Sequence, residues 1–373
     1  FRVHTGDVEM RIVVKIGTSS VTDEHGAIKN EAIRALCEQV ARVRSEGNEV
    51  IVVTSGAIAG GVGALGLAQR PTDTQTLQAL AAVGQSQLMN KYNEHLATHG
   101  LVGAQVLLVP NDFIDRTQYL HARQTLVRLL ELGCVPIINE NDAIASDEIR
   151  FGDNDRIAAL VAHSVSADVL VLLTDIAGLF TSDPSIDASA TFIEQVAADD
   201  PLLSVRASAS STARGSGGMS SKLSAARIAS WSGVRTVIAD ATKTDVVVQA
   251  LAQTPGAGTQ FLPHNRNLSA RKLWIAFAAQ QSGVIVVDDG AKQALIERNT
   301  SLLHAGVAEV HGDFAEGDTV EIQDMSGAVF ARGMVSVSAV QASAAAGRKS
   351  AELPDGVVAE LVHRDDLVVL VDQ

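Results

Sequence analysis

The stretch DVLVLLT, from Asp168 to Thr174, decides the fold. Successive side chains of a β-strand point to opposite faces, and both faces of this run are apolar between Val169 and Leu173. A strand with two apolar faces needs cover on both sides, which is typical of a central parallel strand between layers of helices. Similar runs recur along the chain: RIVVKI (11–16), EVIVVT (49–54), AQVLLV (104–109), CVPIIN (134–139) and VRTVIA (234–239).

Longer segments with helical periodicity separate these runs. We predict helices near residues 30–46, 74–97, 117–132, 154–165 and 219–232. Strands that alternate with helices in this way predict an α/β fold, a three-layer αβα sandwich with a mostly parallel central sheet. We expect this domain to occupy residues 1–265.

The pattern changes beyond residue 265. Short apolar runs separated by turn signals predict a small, mostly β domain at residues 274–355, followed by a C-terminal tail at 356–373. The runs are LWIAFAA (273–279), GVIVVDDG (283–290), VAEVHG (307–312), DTVEIQD (318–324) and VFARGMVSVS (329–338). We expect one helix among them, AKQALIER (291–298), and irregular chain at QASAAAG (341–347).

The composition excludes some classes of protein. The 373 residues carry a net charge of −14, which argues against a general binder of nucleic acids or membrane surfaces. Cys37 and Cys134 lie in apolar surroundings, so we expect buried, reduced thiols. Because no run of about 18 apolar residues and no signal-peptide core is present, we expect a cytoplasmic protein without membrane contact.

Polar residues follow four of the predicted strands: GTSS (17–20), SGAIAGG (55–61), NENDA (139–143) and TDIAGLF (174–180). In a parallel α/β sheet, ligands bind at the carboxyl ends of the strands, so these loops predict the site. The chain has no G-x-x-x-x-G-K-[ST] motif and is therefore not a P-loop enzyme.

The residues alone leave the role of each feature open. Lys15, inside IVVKIG, either reaches solvent at the strand end or meets a phosphate, because a buried ammonium without a partner is costly. Lys222 is either a surface lysine or a second phosphate-binding cation. The glycines of GAIAGGVGALG (56–66) suit either close packing or the approach of backbone amides to an anion. TDIAG is either a turn or a docking point for a nucleotide.

FGDNDR (151–156) also has two explanations. Its acidic and amide side chains either cap a helix and face water or bind a ligand. A metal is one such ligand, although the spacing is not that of an EF-hand.

Five segments together resemble the amino-acid kinase family, in family order and at family distances over residues 11–265. They are VVKIGTSSV, VVTSGAIAGGVGALGL, VPIINENDAIASDEIRFGDNDRIAALVA, VLLTDIAGLFTSDP and GSGGMSSKLSAA. Residues 274–355 resemble the PUA domain that many bacterial members carry. The resemblance is to members that phosphorylate the γ-carboxylate of L-glutamate with ATP and Mg²⁺, the first step from glutamate toward proline.

The resemblance implies a role for each matching residue. Lys15 and Lys222 contact the phosphates and the transferred phosphoryl group, and Asp155 orients the two lysines and balances their charge. The implied glutamate-binding residues are Ser55, Asp142, Asn154 and Asn139. The implied ATP-binding residues are Lys15, Thr174, Asp175, Ser216, Gly217, Gly218, Met219, Ser220, Ser221 and Lys222.

The implied cofactor is Mg²⁺ carried by ATP, without a metal site on the protein. The resemblance further implies inhibition by proline, a homodimer or homotetramer, and a possible transfer of the labile product to glutamate-5-semialdehyde dehydrogenase. RNA is not an expected partner, because residues 274–373 contain 15 acidic and 6 basic residues.

Some positions depart from the family pattern. His121 stands where Asn is usual, and Phe180 stands where Tyr is usual. Thr54 replaces Ser and Ser216 replaces Thr, so both of these positions keep a hydroxyl. Other functions remain open at this level: N-acetylglutamate, aspartate, carbamate or uridylate kinase, an RNA-binding protein that uses the PUA-like domain, or an amino-acid-binding regulator without turnover.

Overall fold

The computed structural model describes residues 9–144, 154–182, 186–187, 189–198, 200, 218–264, 268–279, 281–354 and 356–370. The chain divides into two compact units, Phe1–Asn267 and Leu268–Gln373.

The first unit is built on one sheet. Within the described part, it contains the strands β1 (Arg11–Ile16), β2 (Glu49–Val53), β3 (Gly103–Leu108), β4 (Val135–Glu140), β5 (Val169–Thr174), β8 (Gln195–Val196), β9 (Arg235–Asp240) and β10 (Thr259–Phe261). Their order is β3-β4-β2-β1-β5-β9-β10-β8. All neighbours are parallel except β9 and β10, which are antiparallel. A two-stranded ribbon, β6 (Leu179–Phe180) with β7 (Phe192–Ile193), lies outside the sheet.

Helices pack around this sheet. They are α1 (Thr18–Val21), α2 (Asn30–Ser45), α3 (Ala57–Ala64), α4 (Thr74–Ala97), α5 (Arg116–Glu131), α6 (Asn154–Ser164), α7 (Met219–Ser230) and α8 (Val246–Leu251). Asp73 and Asp115 begin α4 and α5, because each carboxylate accepts a hydrogen bond from a first-turn amide at 2.9 and 2.8 Å. An apolar core joins α2, α4 and α8 to alternate side chains of β1, β2 and β5.

The predicted α/β architecture is confirmed. The six predicted strands agree with the structure within one residue at each end, and the five predicted helices agree within two. The short helices α3 and α8 were not among the predicted helices.

The second unit contains a sheet of the order β13-β11-β14-β15-β17 and a separate pair, β12 with β16. The strands are β11 (Gln281–Val287), β12 (Leu302–Leu303), β13 (Val307–Gly312), β14 (Thr319–Gln323), β15 (Val329–Met334), β16 (Glu360–Val362) and β17 (Leu367–Val369). The predicted helix is present as α10 (Asp289–Arg298). The stretch 356–373, predicted as a tail, supplies β16 and β17.

Two predictions in this unit are wrong. LWIAFAA is not a strand, because α9 (Ala270–Leu273) continues into a π-helical turn, Trp274–Ala278. QASAAAG is mostly helical, in α11 (Ala339–Ala345). There Ser338 Oγ accepts from the Gln341 amide at 3.4 Å while Gln341 Oε1 accepts from the Ser338 amide at 3.1 Å, which is a capping box.

The helices α3 and α4 touch through their backbones. A Cβ added at Gly61 would lie 2.1 Å from the Leu80 carbonyl oxygen, and one added at Gly84 would lie 1.8 Å from that of Ala57. Only glycine fits such a contact. The close approach fixes the segment between the two helices, residues 65–73, whose first part borders the site described below.

We predict that Gly61→Ala lowers the free energy of unfolding by about 2–3 kcal/mol, because the two backbones must separate. The matched control is Gly60→Ala in the same helix, where the nearest atom to an added Cβ is Ile28 Cδ1 at 3.4 Å. The control should change stability by less than about 1 kcal/mol. Urea unfolding followed by circular dichroism measures both, and equal effects of the two substitutions would refute this account.

Candidate active site

The carboxyl ends of neighbouring parallel strands bring the predicted site residues to one edge of the sheet. Lys15 is the fifth residue of β1, and Ser55 follows β2. Asn139 lies near the end of β4, and Thr174 ends β5. This arrangement is the one expected from the strand order.

Asp155, in the first turn of α6, lies between the two predicted lysines. Its Oδ1 is 2.6 Å from Lys15 Nζ, and its Oδ2 is 3.3 Å from Lys222 Nζ. Ser221 Oγ donates a hydrogen bond of 2.6 Å to the same Oδ2. All three charged side chains are at least 93% buried. One carboxylate therefore holds two ammonium groups that the sequence places more than 200 positions apart.

The charge state of Asp155 follows from this contact. Burial by itself raises the pKa of the Asp155 carboxyl, but the ammonium groups of Lys15 and Lys222 oppose that effect and exceed it. The net pKa lies well below the usual range, so the group is an anion at neutral pH.

A cavity of about 350 Å³ opens beside this cluster. Three predicted glutamate-binding residues line it: Ser55, Asp142 and Asn154. Its other walls come from the segment that follows β1 and from the start of α3 with residues 67–70. Asn154 precedes Asp155 in α6, so the cavity and the lysine cluster meet at the beginning of that helix.

Asp142 is the acidic group buried in this cavity. It is 94% buried, and its Oδ1 has no hydrogen-bond partner in the described part of the chain. Burial raises the pKa of Asp142 to about 6, against an opposing effect of the Arg70 guanidinium. A buried carboxylate oxygen without a partner is costly in isolation, and a cationic ligand would satisfy it.

The two predicted amide side chains differ in their surroundings. The Glu140 backbone amide donates to Asn139 Oδ1 at 2.9 Å and to Asn154 Oδ1 at 3.0 Å. Asn139 Nδ2 donates to Gln85 Oε1 at 2.9 Å, which commits both ends of this amide to protein partners. Asn139 is not among the residues that line the cavity, whereas Asn154 is. Asn139 is thus placed to position its neighbours rather than to touch a ligand in this cavity.

The predicted nucleotide-binding residues lie at the ends of β5 and α7. Thr174 Oγ1 donates to Asp175 Oδ1 at 3.1 Å, just beyond β5. Gly218 precedes α7 and has no side chain with which to cap it, and the amide groups at the start of a helix are suited to bind an anion. Ser221 and Lys222 follow in the same turn and reach Asp155. Ser216 and Gly217 lie outside the described residues.

Sequence reasoning did not identify Gln85 or Arg70. Gln85 is a buried polar residue of α4 that also donates to Gln105 Oε1 at 3.1 Å. A glutamine on the apolar face of a long helix is the signal that could have indicated it. His121, which departs from the family pattern, is exposed on α5 and does not line the cavity.

The described residues lack both a metal-binding cluster and a membrane-spanning helix. They contain no group of three or more His, Cys, Asp or Glu side chains arranged to hold a metal ion. None of their helices combines the length and apolarity that a membrane crossing requires.

Comparisons with known proteins agree with the resemblance. The family model described as the amino acid kinase family matches residues 10–240, and that of the PUA domain matches residues 283–357. The chain is 45% identical to "Glutamate 5-kinase" of Thermobifida fusca over 96% of this chain and 93% of that protein. It is 43% identical to "Glutamate 5-kinase" of Caldanaerobacter subterraneus over 97% of this chain and 98% of that protein. Among solved structures, the isopentenyl phosphate kinase of T. acidophilum aligns with a TM-score of 0.48 and 18% identity over 67% of this chain and 99% of that chain.

We predict that Asp155→Asn lowers the free energy of unfolding at pH 7 by about 3–5 kcal/mol, because two buried ammonium groups lose their shared carboxylate. The control is Ser221→Ala, which removes one hydrogen bond to Asp155 and should cost about 1 kcal/mol. Urea titrations of the two variants and the parent chain measure the difference. A loss in Asp155→Asn no greater than that in Ser221→Ala would show that the carboxylate does not carry the lysine pair.

Proposed function

The chain belongs to the glutamate 5-kinases, within the amino acid kinase family, and on that premise we propose that it transfers the γ-phosphoryl group of ATP to the γ-carboxylate of L-glutamate. The product is L-glutamyl 5-phosphate, the first intermediate from glutamate toward proline. The observation that carries the proposal is the Lys15–Asp155–Lys222 cluster beside a cavity that contains the buried carboxylate of Asp142.

The chemistry requires charge neutralisation and alignment more than a base. The attacking carboxylate is already ionised at neutral pH, so no side chain needs to remove a proton. The barrier comes from repulsion between the carboxylate and the triphosphate and from the geometry of in-line transfer. Two fixed ammonium groups, preorganised on one carboxylate, are suited to stabilise the charge of the transferred group.

We assign the parts of the site accordingly. Lys15 and Lys222 bind the phosphates and the moving phosphoryl group, and Asp155 is a positioning residue that holds both. The start of α7 and the end of β5, with Thr174 and Asp175, bind ATP. Ser55, Asp142 and Asn154 bind glutamate, and Asn139 acts through Glu140 and Asn154.

Mg²⁺ enters this proposal with the nucleotide. When bound to ATP, it withdraws charge from the triphosphate and thereby adds to the effect of the two lysines. We do not assign a protein carboxylate as a ligand of Mg²⁺.

The remaining parts of the proposal concern regulation and organisation. We propose inhibition by proline, a homo-oligomer, a cytoplasmic location and transfer of the labile product to glutamate-5-semialdehyde dehydrogenase. The kinase domain extends over residues 1–265, and the PUA-like domain over 274–355 together with the strands β16 and β17 that pair with it. The acidic excess of the second domain supports a structural or regulatory role there rather than RNA binding.

The activity is tested by trapping the acyl phosphate with hydroxylamine. The full chain is incubated with ATP, Mg²⁺ and L-glutamate, and the γ-glutamyl hydroxamate is measured. We expect product from the parent chain and a loss of about 10²–10³-fold in kcat for Lys222→Ala, by analogy with removal of one preorganised donor.

Parallel reactions with L-aspartate and N-acetyl-L-glutamate are the controls for this assay. Hydroxamate from one of these acids alone would assign a different substrate to the same site. No hydroxamate from any acid would refute the kinase proposal.

The pKa of Asp142 predicts how substrate affinity depends on pH. The carboxyl is ionised above about pH 6 and becomes neutral as the pH falls below it. Only the anion attracts the α-ammonium of glutamate, so the KM for glutamate should rise about tenfold per pH unit below 6. The γ-carboxyl and α-amino groups of glutamate do not titrate near pH 6, so ionisation of glutamate itself does not cause this change.

The matched variant is Asp142→Asn. Its KM should be high and independent of this ionisation between pH 5 and pH 7.5, two values chosen to bracket the pKa of about 6. Hydroxamate assays across this range give both profiles. An unchanged pH dependence in the variant would exclude Asp142 as its source.

A further inference from the structure

One cation of the cavity wall has no role in the proposed function. Arg70 lies in the segment between α3 and α4, and it lines the same cavity as Asp142. The close backbone contact of α3 with α4 holds both ends of that segment. Arg70 therefore borders the cavity from a supported position, and as a residue it is exposed to solvent.

The charge of Arg70 acts on Asp142. The guanidinium opposes the effect of burial on the Asp142 carboxyl, which shows that the two groups are within electrostatic reach of one another. Asp142 Oδ1 nevertheless has no hydrogen-bond partner in the described part of the chain. An anion and a cation thus line one cavity, and one oxygen of the buried anion has no hydrogen-bond partner among the described residues.

The other charged or titratable groups of the wall are Asp23, Glu24, His25 and Lys29. All four have local contacts, and His25 Nε2 lies 3.7 Å from Glu24 Oε1. Lys29 Nζ donates to the Ser19 carbonyl oxygen at 2.8 Å. Asp23 Oδ1 accepts from the backbone amides of His25 and Ala27, both at 2.9 Å, within its own turn. These contacts leave Arg70 and Asp142 as the pair most available to a ligand.

A free α-amino acid offers an ammonium and a carboxylate on the same carbon atom. Asp142 is assigned to the ammonium, and the γ-carboxylate must point toward the lysines, so the α-carboxylate needs a cation elsewhere in the cavity. We propose that Arg70 is a specificity-determining residue that binds the α-carboxylate of the substrate and, with Asp142, selects an unmodified α-amino acid. The planar guanidinium suits a carboxylate, which it can bind through two parallel hydrogen bonds. This inference rests on the proposed function.

The test compares two substrates of the full chain in the hydroxamate assay. L-Glutamate carries the α-carboxylate, whereas 4-aminobutanoate keeps the same ammonium, carbon chain and reacting carboxylate but lacks it. Arg70→Met should lower kcat/KM for L-glutamate by about 10- to 100-fold, mainly through KM, because a charge-assisted contact is lost. The same substitution should change kcat/KM for 4-aminobutanoate by less than about 3-fold, because that substrate never makes the contact.

Two variants serve as controls. Lys29→Met removes one positive charge from the same cavity wall and should alter neither substrate by more than about 3-fold if Arg70 makes a local contact rather than a long-range one. Arg70→Lys keeps the positive charge but lacks the planar guanidinium that can donate two parallel hydrogen bonds. Its kcat/KM for L-glutamate should therefore lie between those of the parent chain and Arg70→Met. If 4-aminobutanoate gives no hydroxamate, its inhibition constant against L-glutamate takes the place of its kcat/KM.

The possible results test the role of Arg70 separately from the proposed kinase activity. Equal losses on both substrates, no loss in Arg70→Met, or the same pattern in Lys29→Met would each overturn the role of Arg70 while leaving the kinase proposal intact. Absence of hydroxamate from L-glutamate in the parent chain would overturn both. A loss confined to L-glutamate and to the Arg70 variants supports the role.

Discussion

The contact of Asp155 with Lys15 and Lys222 is the interaction on which the rest of the site depends. Two buried ammonium groups repel one another, and without an anion each would be costly to remove from water. Their shared carboxylate requires the first turn of α6 to lie between the end of β1 and the start of α7. The same turn carries Asn154 into the cavity wall. The cluster therefore fixes the substrate side and the phosphate side of the site relative to each other.

The local charges of the site oppose the overall charge of the chain. The protein as a whole is acidic, with a net charge of −14, yet its two most buried lysines converge on one point. Local fields decide what binds in a cleft, and the net charge bears on solubility and nonspecific contacts. Beside this positive region, the cavity contains Asp142, whose buried carboxylate has an oxygen without a hydrogen-bond partner among the described residues. That oxygen costs folding free energy, and it is retained where a cationic ligand would satisfy it.

Most of the fold could be predicted because its signals are local. An apolar run such as Val169–Leu173 can be stable only between two layers, and an aspartate before a helix, such as Asp73, can cap it within one turn. The two wrong predictions in the second unit can also be explained. LWIAFAA is apolar on every side, so its periodicity cannot separate a buried helix from a buried strand. QASAAAG lacks apolar periodicity, and its helix begins at the Ser338–Gln341 capping box, a local S-x-x-Q signal that starts upstream of the stretch and that the prediction did not use.

For the site, the sequence by itself determined which residue types stand at the carboxyl ends of the strands, and its resemblance to a family indicated Lys15, Asp155, Lys222 and Asp142. Strand order then makes such residues neighbours, because parallel strands end on one edge. Only the tertiary structure decided which partners they have: Asn139 is committed to Gln85, Asn154 reaches the cavity, and Arg70 lines the same cavity as Asp142. These pairings join segments separated by more than 50 residues. Local sequence patterns do not encode contacts at that range, since packing of whole helices and strands brings such segments together.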